Sequence, residues 1–184
     1  MNKTYRLGAV AYAPKVVTIW EGFKEYFYQH GFSMDYVLYS NYETQVEALF
    51  SGQIETAWNS PLAWVRAERM GRARGTPVQM GPMRDTDRDL TSVLVVRSDS
   101  NLQSPKDLTG RAVGFGAIDS PQARLIPFEW MRTQGLGPDQ YRARLFDRLA
   151  GKHGDHIGGE RDAALALVQG EIDAAWMIDG NFQA

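Results

Sequence analysis

The sequence predicts an α/β fold of two similar lobes, and three observations support this prediction. Residues 42–58 read as an amphipathic helix, a glycine that ends it and a short apolar strand closing in tryptophan. Residues 160–176 repeat this pattern without a gap. Apolar runs of strand length also alternate with helical patterns along the chain. The identical pairs are Ala48/Ala166, Leu49/Leu167, Gly52/Gly170, Ile54/Ile172, Ala57/Ala175 and Trp58/Trp176.

The first lobe opens with a strand, a helix and a second strand. Residues 7–12 form a nearly continuous apolar run, typical of a strand buried on both faces of a parallel sheet. Residues 15–30 carry apolar side chains at helical spacing, and Gly31 ends this helix. Residues 32–39 then read as the second strand. The first copy of the repeat follows this βαβ unit.

A third helix and a strand lead from the first lobe to the second. Ser60 before Pro61 predicts a helix start, because serine caps free amides and proline suits the first turn; the helix is expected over 61–70. Residues 90–96 are the most strand-like run of the chain. We therefore expect lobe one over residues 1–92, lobe two over 93–178 and the start of a return hinge over 179–184.

Lobe two is expected to contain two strands and a helix before the second repeat. Residues 111–116 read as a buried strand, and a helix is expected to start at Ser120-Pro121 and to run through Pro127 to about Gln134. Residues 141–146 are expected to form a strand and 147–159 a glycine- and histidine-bearing loop. Two lobes of this kind are expected to face each other across a groove that binds a small molecule.

Composition excludes several classes of function. The 184 residues carry a formal net charge of −2, which argues against a nucleic-acid surface. The chain has no cysteine, so disulfides and thiolate chemistry are excluded. Residues 1–6 lack the apolar core of a signal peptide. Either the protein is cytosolic, or an export signal is missing from this sequence.

The candidate binding residues lie where predicted strands end. Asn59 and Ser60 follow the strand of the first repeat, where parallel sheets place ligand contacts. Residues 119–123 start a helix after a buried strand and offer amides and a hydroxyl to an anion or a polar group. A plain helix cap explains this second segment equally well. Its candidate ligand-binding residues are Asp119, Ser120, Gln122 and Ala123.

Three further side chains are candidates, and catalytic or metal chemistry is not expected. Arg161 can offer a fork of donors to an anion, although a solvated surface arginine is the simpler interpretation. Tyr12 and Tyr42 lie near strand ends, where rings can line a cleft. The histidines at 153 and 156 do not enclose an ion, and no nucleophile elbow, phosphate loop or dinucleotide motif occurs. We expect no catalytic residue, no metal and no cofactor.

Four segments together resemble a known family. Residues 42–65, 104–115, 119–127 and 162–175 are similar, in this order and spacing, to the phosphate/phosphonate-type solute-binding proteins of ABC transporters. The resemblance implies the type II periplasmic-binding fold, in which two lobes close on a small solute. It also implies a non-enzymatic role beside an ABC transporter permease, in the periplasm or at the outer face of a membrane.

The sequence departs from the family's pattern at the start of the helix in lobe two. Family members carry Asp-Ser-Thr-Ser-Gly there, whereas this chain continues from Ser120 with Pro121-Gln122-Ala123 and so has two hydroxyls and one amide donor fewer. In some members an acidic residue matching Asp179 contacts ligand amines. Asp179 together with Arg161 therefore suggests a ligand with both charges, or an anion of a different shape.

Family members also continue for several tens of residues beyond the position of Asp179, crossing back to complete lobe one. Lobe one is thus expected to be incomplete, through a truncated gene or a fragment, or to be completed by a second copy in a homo-oligomer. Two alternative functions stay open: a ligand-sensing module of the same fold in signalling, and a small α/β enzyme acting on a precursor in the cleft. Turnover of candidate substrates would favour the enzyme, and the absence of an acid–base pair argues against it.

Overall fold

The computed structural model of the protein describes residues 4–85, 88–150 and 153–183. The chain divides into two compact units, residues 1–81 with 150–153 and residues 82–149 with 154–184, and each unit is described by itself. The lobe boundary expected at residue 92 stays a prediction. None of the helices in these described stretches has both the length and the apolar character that crossing a membrane requires.

Unit 1 is built on a parallel three-stranded sheet in the order β2-β1-β3. The helix α1 covers one face, where Val16 and Trp20 pack with Ala9 of β1. The helix α2 lies toward the other face, where Ala48 packs with Tyr39 and Ile54. The elements in chain order are β1 (Tyr5–Val10), α1 (Lys15–Gln29), β2 (Met34–Tyr39), α2 (Tyr42–Phe50), β3 (Thr56–Ala57) and α3 (Pro61–Arg74).

Unit 2 contains a four-stranded sheet in the order β4-β9-β5-β6, in which only β4 runs antiparallel to its neighbour. The elements of unit 2 are β4 (Ser92–Val96), a 3-10 turn (Pro105–Leu108), β5 (Ala112–Phe115), a π-helical turn (Pro121–Leu125), α4 (Ile126–Thr133), β6 (Arg142–Leu145), α5 (His156–Val168), β9 (Ala174–Ile178) and α6 (Asp179–Gln183). The strands β7 (Leu149–Ala150) and β8 (His153–Gly154) form a separate two-stranded sheet before α5, and residues 150–153 of this sheet are assigned to unit 1.

The two faces of β9 hold the two cores of unit 2, because successive side chains of a strand point to opposite faces. Trp176 packs on one side with Phe115 and Met131. Ala175 and Met177 pack on the other side with α5. The mixed α/β architecture with parallel strands flanked by helices confirms the predicted fold class.

The predicted repeat is confirmed as a structural repeat. Both copies run from helix through glycine to strand, and Gly52 and Gly170 have φ angles of 72° and 75°, where a side chain would be strained. The amide after each glycine donates back into its helix: Gln53 N to Ala48 O at 3.0 Å, and the amide of residue 171 to the carbonyl of residue 166 at 2.9 Å. The same helix ending therefore leads into β3 and β9.

The two copies of the repeat also make equivalent contacts with a neighbouring strand, which is β1 in unit 1 and β5 in unit 2. A Cβ atom on Gly8 would lie 2.4 Å from Cδ1 of Ile54, and one on Gly114 would lie 2.6 Å from Cδ1 of Ile172. In unit 1 the amide of Arg6 donates to the Glu55 carboxylate at 2.8 Å. In unit 2 the amide of residue 112 donates to the carboxylate of residue 173 at the same distance. Each unit thus joins its strand to its repeat through the same pair of contacts.

The contact between Gly8 and Ile54 gives a first prediction. Gly8→Ala is expected to lower the free energy of unfolding by about 1 kcal/mol, because the new methyl group must displace the end of the buried Ile54 side chain. Ile54→Val removes the obstructing methyl group, so the double variant is expected to be less destabilised than the sum of the two single variants. Urea denaturation of the four proteins measures this coupling. Strict additivity would contradict the close packing.

Two predictions for lobe two are wrong in detail. Residues 147–159 do not form one loop, because they contain the paired strands β7 and β8 and the start of α5 at His156. Arg161 therefore lies in the second turn of the helix. The helix expected from Ser120-Pro121 begins with a π-helical turn, and only residues Ile126–Thr133 are α-helical.

The expected strands at 90–96 and 141–146 are confirmed as β4 and β6.

Candidate functional site

Each unit has one sheet edge where ligand contacts are expected. In unit 1 the carboxyl ends of β1 and β3 are neighbours, and in unit 2 those of β5 and β9 are neighbours. Such ends bind ligands in open α/β sheets where the chain leaves adjacent strands in different directions. We call residues 11–14 with 58–60 the unit 1 edge, and residues 116–123 with 178–181 the unit 2 edge.

The unit 2 edge is built around a tight turn that begins at Gly116. Ser120 is fully buried, and its hydroxyl oxygen accepts a hydrogen bond from the amide of Ala123 at 3.1 Å. Ala123 is fully buried as well, and a Cβ atom on Gly116 would lie 2.7 Å from its methyl group. The turn therefore packs directly onto the end of β5, with Ser120 as its helix cap.

Pro127 explains the shape of this turn. Proline has no amide hydrogen, so it cannot donate to the carbonyl four residues earlier, which belongs to Ala123. The amide of Gly116 donates to that carbonyl instead, at 3.0 Å. The preceding bonds span five residues, as from Leu125 N to Ser120 O at 3.0 Å. One helical hydrogen bond is lost at Pro127, as predicted. The Ala123 carbonyl that it leaves free links the helix to the end of β5.

Asp119 is held by two residues of the segment 153–156, whose histidines were not expected to bind a metal ion. Its Oδ1 accepts hydrogen bonds from His156 Nε2 at 3.0 Å and from the amide of Gly154 at 3.1 Å. The bond from His156 lowers the pKa of the Asp119 carboxyl from 3.8 to about 2, against the opposing effect of burial. Within the described residues no group of three side chains could hold a metal ion. The side chain of His153 lies outside the described part of the chain.

Glu160 is a buried carboxylate that sequence reasoning did not select as a binding residue. Its exposed fraction is 1%. Its Oε1 accepts from Gln122 Nε2 at 3.2 Å, and its Oε2 accepts from the amide of Ile178 at 2.9 Å and from Asn181 Nδ2 at 2.7 Å. The sequence signal was present, because Glu160 shares the buried face of α5 with Ala163. A charge on the apolar face of a helix needs partners.

Glu160 links one predicted residue, Gln122 of the turn, to the end of β9, directly before another, Asp179. The amide of Asp179 donates to Thr91 O at 3.0 Å, and its Oδ1 accepts from the amide of Gly180 at 2.8 Å. Arg161 is exposed on α5, where consecutive side chains point in different directions.

At the unit 1 edge, the side chain of Asn59 is held in place by Gln45. Gln45 is fully buried on α2, and its Nε2 donates to Asn59 Oδ1 at 2.7 Å and to Trp58 O at 3.0 Å. Asn59 is half-buried, and this bond leaves its own NH₂ group for other acceptors. Gln45 was not selected from the sequence, because its spacing marks it only as a helix residue.

The other three predicted residues of unit 1 differ in their surroundings. Ser60 caps α3 as predicted, accepting from the amide of Ala63 at 3.2 Å. Tyr12 is 45% exposed, two residues beyond β1. Tyr42 begins α2 and packs against the core between α2 and α3. The structure thus places Asn59 and Ser60 side by side at the edge, with Tyr42 directed to the core.

Comparison with known proteins identifies the family. The family model described as "ABC transporter, phosphonate, periplasmic substrate-binding protein" matches residues 9–184. A curated relative, the phosphate-import protein PhnD of Mycolicibacterium smegmatis, is 27% identical over 158 residues, which are 82% of this chain and 46% of the relative. The chain therefore spans about half the length of that relative.

Solved structures share the fold. PhnD1 of Prochlorococcus marinus, in complex with methylphosphonate, is 19% identical with a TM-score of 0.58, covering 98% of this chain and 65% of that one. XAC2383 of Xanthomonas citri, bound to ATP, is 16% identical with a TM-score of 0.64, covering 97% and 65%. Both support the type II periplasmic-binding fold, of which this chain covers a part.

The family match runs through both edges and nearly the whole chain, and it agrees with the resemblance of the four sequence segments. The chain belongs to the family of phosphonate-type periplasmic substrate-binding proteins of ABC transporters.

Proposed function

We propose that this chain is a solute-binding protein that captures a small polar or anionic ligand, phosphonate-like or related, for an ABC transporter. The observation that carries the proposal is the family match over residues 9–184. Its relatives are transport proteins, so we propose binding without turnover. We propose the periplasm, or the outer face of a membrane, as its place of action, with the transporter's permease as its partner.

The proposed ligand residues are those of the two edges. In unit 2, Gln122 and Asp179 offer polar groups, while the buried residues Ser120 and Ala123 shape the turn and Asp119 ties it to β8 and α5. The exposed guanidinium of Arg161 is proposed to reach an anionic group of the ligand. In unit 1 the proposed residues are Tyr12, Tyr42, Asn59 and Ser60.

The test is direct binding of small oxyanions to the purified chain. Isothermal titration with methylphosphonate, inorganic phosphate and methanesulfonate is expected to show a saturable site for at least one of them. Arg161→Ala is expected to weaken that binding roughly tenfold, because it removes a charge-assisted hydrogen bond to the anion. Arg142→Ala, an exposed arginine at the start of β6, is the matched control and is expected to bind as the parent does.

The two possible failures of this test mean different things. If none of the three anions binds at millimolar concentration, the proposed function is contradicted. If an anion binds and Arg161→Ala has no effect, the function stands and Arg161 is removed from the site.

A further inference from the structure

Gln45 is a buried polar side chain that the packing of unit 1 does not explain. It is fully buried on α2, at a kind of position that apolar residues usually occupy. Its Oε1 atom is buried and accepts no hydrogen bond within the described part of the chain. A buried acceptor without a partner lowers stability. The reason for a glutamine here must therefore lie at the other end of its amide, the Nε2 group.

The backbone fixes the direction of that Nε2 group. It donates to the carbonyl oxygen of Trp58 at 3.0 Å. Trp58 is itself held beside β1, because its amide donates to Gly8 O at 2.8 Å. A carbonyl oxygen only accepts hydrogen bonds, so turning the Gln45 amide over would bring its Oε1 against this oxygen. The NH₂ group of Gln45 must therefore face the unit 1 edge.

The direction of the Gln45 amide decides the direction of the Asn59 amide. Gln45 Nε2 also donates to Asn59 Oδ1, at 2.7 Å. Asn59 must present its oxygen to this donor, so its own NH₂ group points away from Gln45. Asn59 is half-buried, so these two N–H groups can reach a ligand at the edge. One buried amide thus sets the polarity of a second, accessible one.

The neighbouring Ser60 has the same polarity. Its hydroxyl oxygen accepts from the amide of Ala63 at 3.2 Å, which leaves the hydroxyl hydrogen to be donated. Both polar side chains that follow β3 are therefore set to donate. The oxygen atoms of a small oxyanion accept hydrogen bonds, so they match this arrangement.

We propose that Gln45 is a positioning residue of the unit 1 edge: it holds Asn59 Oδ1 inward and so directs the Asn59 NH₂ group to an oxygen of the bound anion. This inference rests on the proposed function and adds a residue that does not touch the ligand. Without Gln45 the Asn59 amide can turn over, and its Oδ1 then meets the anion with repulsion. Gln45 therefore affects binding only while Asn59 is present.

A double-mutant cycle tests this dependence. The probe is whichever of methylphosphonate, inorganic phosphate and methanesulfonate binds the parent chain most tightly by isothermal titration. Asn59→Ala is expected to weaken its binding roughly tenfold, because a charge-assisted hydrogen bond is lost. Gln45→Met keeps the length of the side chain and is expected to weaken binding about fivefold, because the released Asn59 amide must be ordered again. The double variant is expected to bind as Asn59→Ala alone does.

This coupling separates positioning from structural support. A merely structural role of Gln45 would weaken binding by the same factor with and without the Asn59 amide. Gln53→Met makes the same substitution at an exposed position after α2 and is expected to bind as the parent chain does.

A second measurement uses the parent chain and does not depend on the folding of a Gln45 variant. The ¹⁵N NMR signals of the Asn59 side-chain NH₂ group are identified by their absence in Asn59→Ala. They are expected to shift when the anion saturates the protein, because the outward NH₂ group then donates to an anion oxygen. If Gln45→Met does not fold, these signals decide the outcome.

Each outcome has one meaning. A Gln45→Met effect that disappears in the Asn59→Ala background supports the inference, as does the shift of the Asn59 NH₂ signals. Factors that multiply in the double variant, single variants that bind as the parent does, or unshifted NH₂ signals overturn the inference and leave anion binding in place. If none of the three anions binds the parent chain, the proposed function fails, and the inference fails with it.

Discussion

Gly159→Ala is expected to lower the free energy of unfolding by about 3 kcal/mol. A Cβ atom at this position would lie 2.8 Å from the carbonyl oxygen of Phe146 and 3.2 Å from the amide nitrogen of Ala117. Both are backbone atoms at the ends of neighbouring strands, and Phe146 is itself bonded to Phe115 O at 2.9 Å. Neither can move without shifting the sheet. The first turn of α5 must therefore move away from the turn that holds Ser120.

Urea denaturation of the variant and the parent chain measures this loss. Gly22→Ala is the matched control, because Gly22 is also helical but has no atom within 4 Å of its added methyl group. The control is expected to gain about 0.5–1 kcal/mol, since alanine favours helix more than glycine does. The opposite signs of these two changes in the free energy of unfolding distinguish close packing from helix propensity. A stable Gly159→Ala variant would show that α5 does not lie against Ala117.

Asp119→Asn is expected to destabilise the protein by about 2 kcal/mol at neutral pH. The pKa of the Asp119 carboxyl is lowered from 3.8 to about 2 in the folded protein, chiefly by the hydrogen bond from His156. A lowered pKa means that the folded state favours the ionised carboxylate. The stabilisation is therefore fully present above about pH 4 and is lost as the pH falls toward 2.

The pH dependence makes this prediction specific. Urea denaturation of parent and variant between pH 7 and pH 3 is expected to show a difference that is constant at first and narrows below about pH 4. Asp139→Asn removes the same charge at an exposed position and controls for net charge. A difference that persists unchanged at pH 3 would mean that Asp119 acts through its shape and not through its ionised form.

The sequence predicted the elements whose causes are local. The helix endings at Gly52 and Gly170 follow from one residue type at a defined position, so they could be read without the rest of the chain. Ser60 was predicted as a cap for the same reason, a cap was one of the two interpretations of Ser120, and both serines cap helical segments. The expectation that the two lobes face each other across a groove stays a prediction, as do the ligand residues.

The structural features that sequence reasoning missed depend on contacts between residues that are far apart in the sequence. Residues 156–159 were expected in a loop because two glycines disfavour helix, but Gly159 is needed where α5 touches two strands. Glu160 was given no role, because its hydrogen-bond donors come from the end of β9 and from the turn, which are distant in the sequence. His156 was set aside as a metal ligand and given no other role, because its partner Asp119 lies 37 positions earlier in the chain.

Pro127 allows a link between α4 and β5, although a proline inside a helix is expected to interrupt the helix. By freeing the Ala123 carbonyl for Gly116, Pro127 ties the end of β5 to the helix, and the stacked rings of Phe115 and Phe128, 4.2 Å apart, reinforce that tie. The end of β5, the turn and α4 are therefore linked by a backbone hydrogen bond and a ring contact. A substitution that displaces the turn is expected to displace α4 as well, and with it Met131 in the aromatic core of unit 2.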